Sequence, residues 1–249
     1  GTYLTCEENF NKYFSSSDKN FKSTNELNRY GIRTREIGLN WAKADNRFDL
    51  SKEVNEPNKV GYVVEIDPLN PNSTPKKHTA LGRFKHENAE LVISKDGKII
   101  VYMGDDERGE YLYKYVSNES INEVKDKSTL LSDGNLFVAK FNDNFTGEWL
   151  LLDTQTTGLS SKAEICIFTR LAASKVGATT MDRPEWIASN PKKNEVCCCL
   201  TNNKNRGIKT NKGGDKVDVD KVNPRKNNKY GQIVRWKPKD NNHSSVYFE

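Results

Sequence analysis

Residues 90–103, Glu90 to Met103, read ELVISKDGKIIVYM: two apolar runs on either side of Asp96-Gly97. Asp-Gly supplies the positive φ that a tight hairpin needs, so the stretch predicts two antiparallel strands joined by a short turn. Similar short apolar runs recur outward in both directions with Gly, Pro, Asn or Asp between them. Strands are expected near Gly61 to Ile66, Thr79 to Phe84, Glu90 to Ser94, Lys98 to Met103, Glu110 to Val116, Asn135 to Phe141, Trp149 to Leu152, Trp186 to Ser189, Glu195 to Thr201 and Gly231 to Trp236. Such spacing marks an all-β sandwich, barrel or propeller.

One helix interrupts the pattern. Ser161 to Val176 consists of good helix formers with Ile165, Phe168, Ala172 and Val176 on one face, and Gly177 stands where a C-terminal stop belongs. Phe14 to Lys43 is polar and Ser/Asn-rich, which predicts a long excursion from the sheet framework, and the prolines of Asp67 to Pro75 mark a loop. No domain boundary is evident in residues 1–249. Long polar loops fit the low apolar content of 35% and the mean hydropathy of −0.82.

The 249 residues carry 39 Lys+Arg against 34 Asp+Glu, and much of the excess lies in 204–229, a flexible basic loop on this reading. No aromatic residue punctuates that loop before Tyr230, which argues against a nucleic-acid partner. No apolar run approaches the roughly 20 residues of a membrane helix, so no membrane partner is expected. Cys6, Cys166, Cys197, Cys198 and Cys199 are odd in number, and three are adjacent, which is no disulfide framework. Cys197 to Cys199 fall in a strand, whose alternation keeps neighbours out of one site, so packing is the reading for them. His78, His86 and His243 are too scattered for a His-rich metal site. Gly1 begins a strand already in progress, as in a piece of a longer protein.

Four acidic clusters fall near strand ends: TCEENF with Cys6, Glu7 and Glu8; FKHE ending in Glu87; GDDERGEY with Asp105, Asp106 and Glu110; and MDRPEW with Asp182, Arg183 and Glu185. Converging carboxylates repel one another, so a shared site implies hard, oxygen-loving cations. Cys6 adds a soft donor that suits iron or zinc. Arg183, stiffened by Pro184, offers a planar fork to a phosphate. Each cluster alone has a plainer account: MDRPEW as a surface turn with a local ion pair, GDDERGEY as a charged turn, Cys6 as a small buried hydrophobe. Asn202, Asn203 and Arg206 follow a strand and can reach an anion, though loop polarity explains them equally well.

The order GTYLTCEENF, RFDL, EIDP, TALGRFKHE, IIVYMGDDERGEYLYKY, LFVAKF, TRLAASKVGATTMDRPEW, LTNN and NPR followed by YGQIVRW resembles the PhoX family of alkaline phosphatases, from Gly1 to about Trp236. The resemblance implies a six-bladed β-propeller, here partial and truncated at both ends, because blades of about 40 to 45 residues leave this chain short of a closed ring. It implies two Fe3+ ions and several calcium ions, small-molecule phosphate esters as substrates, a monomer, and a periplasmic or extracellular location reached by twin-arginine export. Carried over by motif, Cys6 becomes an iron ligand, Glu87 and Glu185 further metal ligands, Asp106 a calcium ligand, and Arg183 the catalytic phosphate clamp. Glu8 and Asp105 are candidate metal ligands, Glu7 and Asp182 orienting groups, and Asn202 a substrate contact. From another class, a noncatalytic calcium-stabilised propeller scaffold would need neither a thiolate nor an aimed guanidinium. An isolated partial cage is expected to bind metal poorly and turn over little substrate.

Overall fold

The computed structural model describes residues 1–249 except Lys212. Near the N-terminus, β1 (Tyr3–Cys6), β2 (Val63–Ile66) and β3 (Lys76–His78) form a small antiparallel sheet. The large sheet is a meander of β4 (His86–Ile93), β5 (Lys98–Asp105), β6 (Leu112–Ser120), β7 (Gly134–Phe141) and β8 (Gly147–Leu151). A third sheet joins β9 (Pro184–Ser189), β10 (Val196–Leu200) and β11 (Gln232–Trp236), and β12 (Tyr247–Phe248) adds to the edge of β8. The chain is thus mostly β, and among the described residues these sheets remain open.

The hairpin forms as its sequence requires, with Glu90 opposite Tyr102 and Ile93 opposite Ile99, and Gly97 takes a φ of +76° in the turn. The apolar run of β5 is continuous because both faces are covered. Ile99, Val101 and Met103 pack into one core with the helices, while Ile100 and Tyr102 enter a second core beneath β9 to β11. In β10, Cys198 is buried and Cys197 and Cys199 are half-buried, following the strand alternation.

Two expectations need correction. The helix expected over Ser161 to Val176 is two helices, α4 (Lys162–Ile167) and α5 (Thr169–Lys175), separated at Phe168 with φ −110° and ψ 45°. Thr169 is the cause: its hydroxyl donates to the carbonyls of Ile165 and Cys166 while accepting from Arg83 N, which draws the backbone out of the regular ladder. Ser161 and Gly177 nevertheless bound the pair, the first capping Glu164 N and the second in the left-handed region. Thr79 to Phe84 is no strand but a short 3-10 turn ended by Gly82, whose φ is +83°. Phe14 to Lys43 adds no strand to the sheets; it carries α1 (Asn25–Arg29) and the start of α2 (Trp41–Ala44), and it builds a core of its own from Phe14, Leu27, Tyr30 and Ile32 with Phe10 and Leu50.

A further short helix, α3 (Thr154–Thr157), follows β8. The described part of 204–229 has no helix or strand, yet Arg206, Val217 and Asn223 are buried and fasten it to the body. No helix among the described residues is long and apolar enough to cross a membrane.

Candidate metal centre and anion site

Three contacts between strand ends assemble the site. His86 N donates to Glu7 O at 3.3 Å, which brings the end of β1 to the start of β4. His86 then pairs with Asp105 across β4 and β5, and Asp106 N donates to Lys85 O at 3.0 Å. Finally β9 crosses close over β5 at Gly104, where an added Cβ would lie 2.4 Å from Pro184 O. Asn88 secures that crossing by exchanging two hydrogen bonds with the backbone of Ile187, at 2.8 and 3.0 Å. Pro184 therefore opens a strand, and with Met181 and Asp182 buried MDRPEW is not the surface turn of its plainer account.

Carboxylate oxygens of Glu8, Glu87 and Asp106 come within 4.8 Å of one another. Burial, then the neighbouring Asp106, raises Glu8 above the ordinary carboxylate range. Burial raises Glu87 as well, followed by the charges of Glu8, Asp106 and Glu185. Cys6 is pushed up to about 12, first by burial and then by Glu87, so its free thiol stays protonated. Half-buried anions that repel one another, with a thiol alongside, are a donor set whose charge a hard cation would relieve. The residues present fit such an ion.

Arg183 stands over this cluster. Its Nε lies 2.8 Å from Asp106 Oδ1, and its Nη2 donates to Asp106 Oδ2 at 2.8 Å and lies 3.0 Å from Glu185 Oε1. Glu185 also accepts from the Thr201 hydroxyl at 2.7 Å. Arg183 has a φ of +58°, although a residue before proline ordinarily takes extended backbone. Holding a non-glycine residue there costs about 1–2 kcal/mol, and it aims the fork from the start of β9 toward the end of β5. Next door, Asp182 is wholly buried and accepts from Arg206 Nε at 2.7 Å, Asn203 at 2.9 Å and Asn228 at 3.0 Å.

Other sequence candidates lie differently. Asp105 is fully buried on the far side of β5, with both oxygens taken by Arg170 at 2.6 and 2.7 Å. Glu7 holds Lys77 at 2.7 Å and the backbone N–H groups of Gly61 and Tyr62. Asn202 accepts from Arg108 Nη2 at 3.3 Å. The basic partners Lys85, Arg170 and Arg206 were not singled out for these roles in the sequence. Their chain separations from Glu107, Asp105 and Asp182 carry no local pattern, and the one usable signal was the alternation of acids with distant bases.

Fold and site together define a β-rich protein whose strand ends carry a carboxylate cluster suited to hard cations, flanked by an arginine fork. The family model described as alkaline phosphatase PhoX matches residues 1–249, and the chain belongs to that family. Among solved structures, Pseudomonas fluorescens PhoX in complex with vanadate, a transition state analogue, matches with a TM-score of 0.92 and 46% identity. The match covers 100% of this chain and 44% of that one, so this chain spans less than half the length of its relative. No curated protein matches the chain.

Proposed function

We propose that the protein containing this chain is a metal-dependent alkaline phosphatase that hydrolyses phosphate monoesters outside the cytoplasm. The observation that carries the reading is the carboxylate triad Glu8, Glu87 and Asp106 lying beneath the Arg183 fork in a chain of this family. Glu8, Glu87 and Asp106 would hold calcium or iron, with Glu185 as a further carboxylate and Cys6 as the thiolate that selects iron. When bound, these cations supply Lewis-acid polarisation of the phosphoryl oxygens.

The chain's own groups divide the remaining tasks. Arg183 offers its N–H groups to the equatorial oxygens as charge redistributes in the transition state. Asp106 and Glu185 keep that fork extended, and Asp182 braces the backbone behind it. Cys6 Sγ must lose its proton to ligate, which its raised pKa opposes until a cation is present. Asn202, beside Arg108, is a substrate contact at the rim. Asp105 is read as a support, since its oxygens already accept from Arg170. The open sheets are read as part of a six-bladed propeller and the protein as a monomer, exported by the twin-arginine route.

One observation favours a calcium-held scaffold instead: the fork of Arg183 is already engaged by two carboxylates, as in a structural ion pair. The deciding experiment is elemental analysis of the complete protein, purified without chelators, together with p-nitrophenyl phosphate hydrolysis at alkaline pH. Iron with excess calcium and monoester hydrolysis are expected. Calcium alone without hydrolysis would establish the scaffold.

A further inference from the structure

Each carboxylate of the GDDERGEY segment meets a base, and Arg170 serves two of them, lying 3.7 Å from Glu110 as well as gripping Asp105. Asp106 meets Arg183, Glu107 meets Lys85 at 2.8 Å, Glu110 meets Arg29 at 3.0 Å, and Asp105 meets Arg170. The last pair is the most enclosed, with side-chain exposures of 1% for Arg170 and 0% for Asp105. Arg170 projects from α5, and its Nε and Nη2 grip both oxygens of Asp105 while its Nη1 donates to Arg29 O at 2.9 Å. Such a fork fixes the plane of the carboxylate as well as its position.

That plane has a second use. Asp105 Oδ1 also accepts from Lys85 N at 3.2 Å, and in return Asp106 N donates to Lys85 O at 3.0 Å. The Asp105 carboxylate is therefore tied to the backbone just before β4, while its own backbone ends β5. Asp106 follows it directly at the end of β5, and Glu87, in β4, follows Lys85 by two residues. The separation of Glu87 from Asp106 is set where these strands pair, at His86 opposite Asp105, just before the register shift that contains Glu87.

We propose that Arg170, through Asp105, is a positioning residue that sets the spacing of the Glu87 and Asp106 carboxylates for cation binding. The idea rests on the metal reading given above. Arg170 touches neither substrate nor cation, and it acts by holding two strand ends in register. Groups that orient metal ligands in this way commonly alter affinity by about 10- to 100-fold when changed.

The test is calorimetric titration of the complete, chelator-treated protein with calcium alone. Arg170→Lys keeps the charge but cannot form the fork, and its calcium affinity is expected to fall about 10- to 100-fold. Val138→Ala, in β7 two strands from β5, serves as a control that loses core packing and keeps wild-type affinity. Equal affinity in wild type and Arg170→Lys, or an equal loss in the control, overturns the proposal. If Arg170→Lys does not fold, the pair is replaced by Asp105→Leu with Arg170→Met, which removes the fork without stranding a charge. Wild-type affinity in that double variant overturns the proposal in the same way. A wild-type protein that binds no calcium refutes the metal reading itself, a distinguishable result.

Discussion

Gly104 in β5 sits so close to Pro184 in β9 that a Cβ would lie 2.4 Å from the proline carbonyl oxygen and 2.9 Å from that of Glu185. The contact is backbone on backbone, so no side chain can swing aside. Gly104→Ala should therefore push β9 off β5, carrying Arg183 and Glu185 away from Asp106. A loss of about 1–3 kcal/mol in stability is expected from the overpacking, and a larger proportional loss of phosphatase turnover. Thermal melts and initial rates on the full protein check this, and wild-type turnover in the variant would show that the crossing does not set the site.

Arg206 and Asp182 form an ion pair with no solvent exposure on either side chain. Deleting one partner strands a buried charge, so Arg206→Met should lower the unfolding free energy by about 3–5 kcal/mol. Adding Asp182→Asn should recover part of that loss, because no charge is then left behind and the amide oxygen still accepts from Asn203 or Asn228. Urea denaturation of the two variants gives the answer, and equal destabilisation in both would mean that the pair's charge is unimportant.

What the sequence made legible follows the range of each interaction. The Asp96-Gly97 hairpin and the Ser161 and Gly177 helix bounds depend on neighbours within a few residues, and they appear where the pattern puts them. The break at Thr169 depends on Arg83, 86 residues away, and no helical periodicity announces it. Residues 204–229 read as a solvated basic loop because Lys and Asn dominate, yet Arg206 and Asn223 are buried by hydrogen bonds to Thr180 O. In the site, the acidic clusters were visible as charge. Which carboxylates converge, and that Asp105 turns away to Arg170 while Asp106 does not, follows from strand alternation and the crossing of β5 by β9.

Glu87 bears the charges of Glu8, Asp106 and Glu185 and is raised by burial and by them. Glu87→Gln should thus be at least as stable as wild type in chelator at pH 8, since one repelling charge is gone. With calcium at a hundred times its dissociation constant the wild type should gain about 2.7 kcal/mol, and the variant much less. Melts with and without calcium test both signs; an equal calcium gain in the variant would exclude Glu87 as a ligand.

Lys114 in β6 is wholly buried, with its ammonium donating to Ser245 O at 2.6 Å and lying 5.1 Å from the Trp149 ring centroid. Burial lowers its pKa from 10.5 to about 7. The unfolded chain therefore binds more protons than the folded one between about pH 7 and 10.5, and this group's contribution to stability rises with pH across that window. The slope is at most about 1.4 kcal/mol per pH unit. Lys114→Met removes it, so the stability difference between wild type and variant should move in favour of wild type from pH 7.5 to 9.5. Urea melts across that range that show a constant difference would place the lysine's pKa outside the window.

Arg183 combines an unfavourable backbone with a fork aimed at the cluster, and two substitutions separate these properties. Arg183→Ala and Arg183→Gly both delete the guanidinium, so each should cut phosphatase turnover by roughly 10²-fold if the fork acts in the transition state. They differ only at the φ of +58°, which glycine adopts freely and alanine does not. The glycine variant should accordingly be the more stable of the two by about 1 kcal/mol at equal activity. Near-normal turnover in both would remove the side chain from the mechanism. Equal stability would mean that the loop before Pro184 relaxes once the side chain is gone, and that the left-handed turn is held by the ion pairs to Asp106 and Glu185 and not by the crossing of β9 over β5.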